Sequence, residues 1–171
     1  TSALLPLMPL LKNGMISPEG IVIDAKSGVS GAGRGASETT HFCEAGESVK
    51  AYKVASHRHA PEIETHLAAA SGVDVKVVFT PHLIPMSRGM LSTIYAVHAP
   101  GVTREKVEQT WRETYGENGF VTVAPGQTLP DTGFVRGTNQ CMMAVREHPA
   151  TGRLILLSVI DNLGKGASTQ A

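Results

Sequence analysis

The sequence predicts an α+β fold: a mixed, largely antiparallel sheet with helices on one face. Three observations carry this expectation. Apolar, strand-like runs follow one another directly at 73–99 and again at 141–161. Two or three helical segments with an apolar face lie between other strands. No internal repeat or low-complexity linker divides the 171 residues, so 1–171 reads as a single domain.

The elements follow in order. "SALLPLMPLLKNG" has a broad apolar face and ends in Lys-Asn-Gly, a helix stop. Pro6 suits its first turn, and Pro9, deeper, is expected to kink it. "GIVIDAK" reads as a buried strand, and residues 27–48 as a long glycine- and serine-rich loop. "VKAYKVA" alternates like a half-buried strand. "HAPEIETHLAAASG" reads as a helix, with Pro61 at its first position, Glu62 and Glu64 in its first turn and Gly72 just past its end. "VDVKVVFTP" and "MLSTIYAVHA" are strands, joined by a turn that two prolines and Gly89 make rigid. "TREKVEQTWRETYG" is a helix with Val107, Trp111 and Tyr115 on one face and Gly116 as its stop. "FVTVA" is a short strand, and "CMMAVREHPATGRLILLSVID" a hairpin around Pro149 and Gly152.

Charge and cysteine usage narrow the function classes. Lys+Arg and Asp+Glu number 15 each, so the chain is neutral. That gives no electrostatic case for nucleic acid or an anionic membrane. The longest apolar runs, such as "LILLSVI", are far too short to span a bilayer, and the start lacks the basic flank and cleavage site of a signal peptide. The two cysteines, Cys43 and Cys141, form neither a disulfide framework nor a metal site. A reducing cytoplasm is the expected setting.

One motif misleads. Gly31-Ala-Gly33-Arg34-Gly35-Ala36 fits G-x-G-x-x-A and follows a strand. A polar stretch intervenes after Asp24, however, and "SETTHFCEAGES" has no helical apolar face. It reads as a substrate or cofactor loop, or a plain surface loop, and not as a dinucleotide fold.

The chemistry concentrates in "SHRHAPEIE". Strand alternation would put His57 and His59 on one side and Arg58 on the other. His59 falls at a helix N-terminus, where the dipole disfavours imidazolium and suits a neutral general base. Glu62 or Glu64 would orient the ring or hold it charged. The same residues also fit a pair of partly buried capping histidines. Neither Cys43, with acids close by, nor Cys141, at a strand start, has the surroundings of an activated thiol. His82, Arg88, Arg136 and Arg34 lie in turns and loops, and such arginines suit a carboxylate or phosphate.

Five stretches together are more specific: "DAKSGVSGAGR" (24–34), "SHRHAPEIE" (56–64), "FTPHLIPMSRGMLSTIY" (79–95), "VRGTNQC" (135–141) and "DNLGKGAS" (161–168). In this order they resemble N-acetyl-gamma-glutamyl-phosphate reductase, across essentially the whole chain. The resemblance implies the catalytic and dimerisation domain of that NADP-dependent enzyme, similar to the C-terminal domain of glyceraldehyde-3-phosphate dehydrogenase. It implies a catalytic cysteine three residues ahead of Thr1 and a Rossmann domain that holds most of the NADP, both outside this sequence. A fragment so bounded is expected to be inactive alone. The implied roles are His59 or His57 as base with Glu62 beside them; Arg88, Arg136, His82, Ser30 and Arg34 at the acyl phosphate substrate; and Ser27, Gly28, Gly31, Asn162 and Lys165 near the cofactor. No metal is implied. Family members assemble as dimers or tetramers, and the sheet face away from the helices is the expected contact. At Gly164 the sequence departs from relatives, many of which carry a bulkier apolar residue. A different class of function, a non-catalytic dimerisation or binding module on the same fold, is distinguished by the length of the gene. A hydrolase built on Cys43 and histidine is the third reading.

Overall fold

The computed structural model describes residues 1–33, 35, 37–116 and 119–168. The order is α1 (Leu4–Lys12), β1 (Ile21–Gly28), α2 (Phe42–Ala45), β2 (Lys50–Ala51), α3 (His59–Ser71), β3 (Val77–Ile84), β4 (Met90–Val97), α4 (Arg104–Tyr115), β5 (Val121–Val123), α5 (Thr132–Val135), β6 (Cys141–Glu147) and β7 (Arg153–Ile160). The seven strands form one sheet in the order β2-β3-β1-β4-β7-β6-β5. Two neighbouring pairs, β1–β3 and β5–β6, are parallel and the other four antiparallel, as the sequence predicts.

Strand alternation decides the core. Ile21, Ile23 and Ala25 of β1, Ile94 and Ala96 of β4, and Leu154 and Leu156 of β7 turn to one face and are buried there. Helices α1, α3 and α4 cover that face with Leu7, Leu10, Leu67, Val107 and Trp111, all fully buried. Burying each such side chain contributes roughly 1.5–3 kcal/mol before the entropy of ordering it.

Pro9 lies inside α1, so Leu5 has no N–H donor four residues on. The Tyr115 hydroxyl takes that place, donating to the Leu5 carbonyl at 2.6 Å. Trp111 Nε1–H donates to the Pro6 carbonyl at 3.0 Å, so α4 locks the proline-bearing helix at two points.

The stretch "VKAYKVA" is the element that differs. Only Lys50 and Ala51 pair with β3, and the chain then turns through positive φ at Lys53 (46°) and Ala55 (56°). The alternation expected to place His57 and His59 therefore does not exist. Further on, the strand expected at 73–81 begins at Val77 and runs through Pro81 to Ile84. Pro81 is tolerated because its missing N–H would point to the β2 side, where pairing ends after Ala51; on that side its carbonyl still accepts from Tyr52 N–H.

Candidate functional site

The candidate residues fall in two groups, the second of them in the loops where β1, β3 and β7 end and β4 and β6 begin. The first is the histidine pair. His57 lies in the turn ahead of α3 and is 9% exposed, packed against Tyr52 and Phe79 with ring centroids 5.5 and 5.2 Å away. Its Nδ1 accepts the backbone N–H of His59 at 3.2 Å. This caps one of the orphan donors at the head of α3 and fixes the neutral tautomer with the proton on Nε2. Burial, with His59, Lys53 and Arg58 nearby, lowers the His57 pKa below its ordinary value.

His59 is the first residue of α3, with 47% of its side chain exposed. Its ring meets the His57 ring edge to face, centroids 4.7 Å apart, and its Nε2 lies 3.9 Å from the Glu62 carboxylate. Burial lowers its pKa first; Glu62 opposes this, while Arg58 adds to it. Helix α1 packs against α3, the helix that His59 heads. The two histidines thus differ: His57 is buried with its Nδ1 in use, and His59 is exposed beside Glu62.

The second group is a knot of loops. The 28–30 backbone is zipped to the β3–β4 turn: Gly28 N–H donates to Gly89 O, Val29 N–H to Met86 O, and Ser30 N–H to Ser87 O. A Cβ on Gly28 would stand 2.9 Å from the Met86 carbonyl, so only glycine fits. Asn162 crosses this seam, accepting from Gly89 N–H at 2.8 Å and donating to Ser30 Oγ at 3.0 Å. Next to it, Asp161 is fully buried. It binds Arg88 Nη2 with both carboxylate oxygens at 3.0 Å and accepts the backbone N–H groups of Gly137, Leu163 and Gly164. Burial alone would raise the Asp161 carboxyl, but these donors outweigh it and hold the pKa below the usual range. Arg136, just before Gly137, is exposed and has no side-chain partner among the described residues.

The remaining candidates fall as follows. His82 sits on the opposite face of the sheet, its Nδ1 3.1 Å from Asp24 Oδ1, so the structure does not bring it to the histidine pair. Arg34 lies outside the described residues. Ser27 is buried and donates to the Gly28 carbonyl, and a Cβ on Gly31 would meet Ser27 Oγ at 2.9 Å. Lys165 extends over the Phe120 ring, 5.4 Å from its centroid. A side chain has no room at Gly28 or Gly31, and the Asn162 amide is hydrogen-bonded, so these residues form a closely packed wall on which Gly31 is exposed. At Gly164 a Cβ would lie 2.7 Å from the Thr138 carbonyl, so a bulkier residue there requires the 138 segment to shift. Cys141 is buried, 3.4 Å from Ser158 Oγ, and burial pushes its thiol up to about 11, which removes it as a nucleophile at neutral pH. Asp161 was missed as a sequence candidate. Its signal was an Asx turn, an aspartate whose carboxylate collects the N–H groups two and three residues on.

A seven-stranded mixed sheet covered on one face by three helices is also the architecture of solved semialdehyde dehydrogenases. Solved structures agree on the fold. Aspartate semialdehyde dehydrogenase II from Vibrio cholerae matches with TM-score 0.75 over 97% of this chain and 56% of that one, at 17% identity. The enzyme from Francisella tularensis matches with TM-score 0.73 over 98% and 59%, at 13% identity. The family described as "Semialdehyde dehydrogenase, dimerisation domain" matches residues 1–162, and the chain belongs to it. Among curated relatives, the N-acetyl-gamma-glutamyl-phosphate reductase of Desulforudis audaxviator is 54% identical over all 171 residues, which cover 49% of that protein. Those of Magnetococcus marinus and Pelobacter propionicus are 52% and 53% identical, covered to 49% and 50%. The chain spans about half the length of the curated relatives it matches. Among the described residues, no helix is long and apolar enough to cross a membrane.

Proposed function

We propose that this chain is the catalytic and dimerisation part of an NADP-dependent reductase that converts N-acetyl-glutamyl 5-phosphate to N-acetyl-glutamate 5-semialdehyde and phosphate in arginine biosynthesis. Identity above 50% along the whole chain to reductases of that name supports the substrate. The observation that carries the chemistry is the exposed His59 imidazole, with a lowered pKa, at the head of α3, which packs against α1.

An acyl phosphate is opened by a nucleophile. The resemblance puts a cysteine just ahead of Thr1, where the positive end of α1 would stabilise its thiolate. His59 takes the thiol proton as the sulfur displaces phosphate to form a thioester; it gives that proton to the hemithioacetal oxygen that hydride addition creates, and takes it back as the C–S bond breaks to release the aldehyde and the thiolate. NADPH, held mainly by residues outside this chain, supplies the hydride. His57 holds the first turn of α3 and keeps the His59 ring in place. Glu62 orients that ring and tempers the fall of its pKa. Arg88 and Arg136 bind the phosphate and the carboxylate of the substrate. Ser30, Ser27, Gly28, Gly31, Asn162 and Lys165 wall the site beside the nicotinamide. Full-length His59→Asn tests this: kcat should fall by about 10²–10⁴. A loss below tenfold overturns the assignment.

The open face of the sheet supports assembly with a second copy. Val78, Val22, Tyr95 and Ile155 line up across four strands there, and Val78 is 60% exposed. Placing a charge at Val78 and Tyr95 should shift the protein toward monomer in sedimentation; an unchanged mass overturns this contact.

A further inference from the structure

Asp161 has a carboxylate with no exposure, yet it serves three segments far apart in sequence. It holds Arg88 of the β3–β4 turn, the Gly137 N–H that follows Arg136, and the Leu163 and Gly164 N–H groups of its own loop. One anion thereby gathers both arginine-bearing loops.

The way Arg88 is held is informative. Both contacts go to Nη2; Nε is buried without an acceptor, and no partner faces Nη1 among the described residues. The side chain is 38% exposed. Arg88 is therefore anchored by one nitrogen, with donor capacity left over. A guanidinium anchored in this way loses less conformational freedom on binding an oxyanion than one that swings freely.

We propose that Asp161 is a positioning residue for the anion site: it fixes Arg88 by Nη2, so that the Nη1 side of that guanidinium is held toward a phosphate or carboxylate of the substrate. This rests on the reading of Arg88 and Arg136 as substrate-binding residues, and it assigns a role to a residue that touches no substrate itself.

The test is a double-variant cycle on the full-length protein in the phosphate-dependent direction, with inorganic phosphate and the semialdehyde varied separately. Arg88→Gln raises the KM of one of the two by about tenfold or more, and the one affected identifies the anion. Asp161→Asn raises the same KM to a similar degree, with kcat changed by less than about threefold. The double variant is no worse than Arg88→Gln alone, because Asp161 acts through Arg88. Additive losses, or a fall in kcat with KM unchanged, overturn the positioning role. Should Asp161→Asn fail to fold, Arg88→Lys gives the same information. A single ammonium paired with Asp161 has no second donor edge, so lysine does not restore the KM; restoration by lysine overturns the inference. Unchanged KM values in Arg88→Gln overturn instead the anion-binding reading beneath it.

Discussion

Tyr115→Phe removes one oxygen, and the structure says what that oxygen does. Pro9 leaves the Leu5 carbonyl without its helical donor, and the Tyr115 hydroxyl substitutes for it at 2.6 Å. The substitution loses a short hydrogen bond and leaves a partly buried carbonyl unpaired. A net cost of about 1–2 kcal/mol follows. For a domain of this size that lowers Tm by roughly 2–8 °C. The decisive comparison is the same change made in Pro9→Ala. Alanine returns an N–H to the Leu5 carbonyl, so Tyr115→Phe should then cost less than about 0.5 kcal/mol. Trp111 is the single tryptophan and lies fully buried between the two helices, so its fluorescence follows unfolding at this contact. An equal cost in both backgrounds would refute the reasoning and leave the hydroxyl stabilising the fold by another route.

Three further outcomes are expected. Glu62 opposes the lowering of the His59 pKa and Arg58 adds to it, so Glu62→Gln moves the acid limb of the kcat/KM profile to lower pH and Arg58→Ala moves it to higher pH; shifts of the same sign in both would contradict the assignment of the base. The folded His57 pKa lies below its unfolded value, so its contribution to stability is present above roughly pH 6.5 and is lost as pH falls through the folded pKa. His57→Asn keeps an acceptor without the titration, and its stability should be flatter across that window in urea titrations at several pH values. Gly28→Ala forces a Cβ against the Met86 carbonyl and should cost about 1–3 kcal/mol while raising the substrate KM, since the turn it pushes carries Arg88; a wild-type Tm would mean that the 28–30 seam is looser than its hydrogen bonds imply.

Much of this molecule was legible in the sequence because the signals were local. The Val107–Trp111–Tyr115 stripe, its Gly116 stop and the hairpin at Pro149 all formed as read. The edge strand at 49–55 did not, because its turn uses left-handed backbone at Lys53 and Ala55, where no glycine announces it. His82 was grouped with the site, but Phe79 and His82 are three apart on one strand and must face opposite sides; parity held that answer. The partners of Arg88 were not legible at all. Asp161 lies 73 residues away and meets it only after β4 and β7 have paired. That His57 Nδ1 accepts the His59 N–H was not legible either, because no strand alternation orders these residues.

The most direct test of the central claim is the phosphate-dependent reduction of NADP⁺ by N-acetyl-glutamate semialdehyde, with the full-length protein and with the 171-residue chain. Turnover in the full-length protein, and none in the shorter chain, is the result predicted for a catalytic half whose nucleophile and cofactor fold lie outside it. Turnover by the 171 residues alone would contradict the account, and would place the nucleophile among residues assigned here to packing.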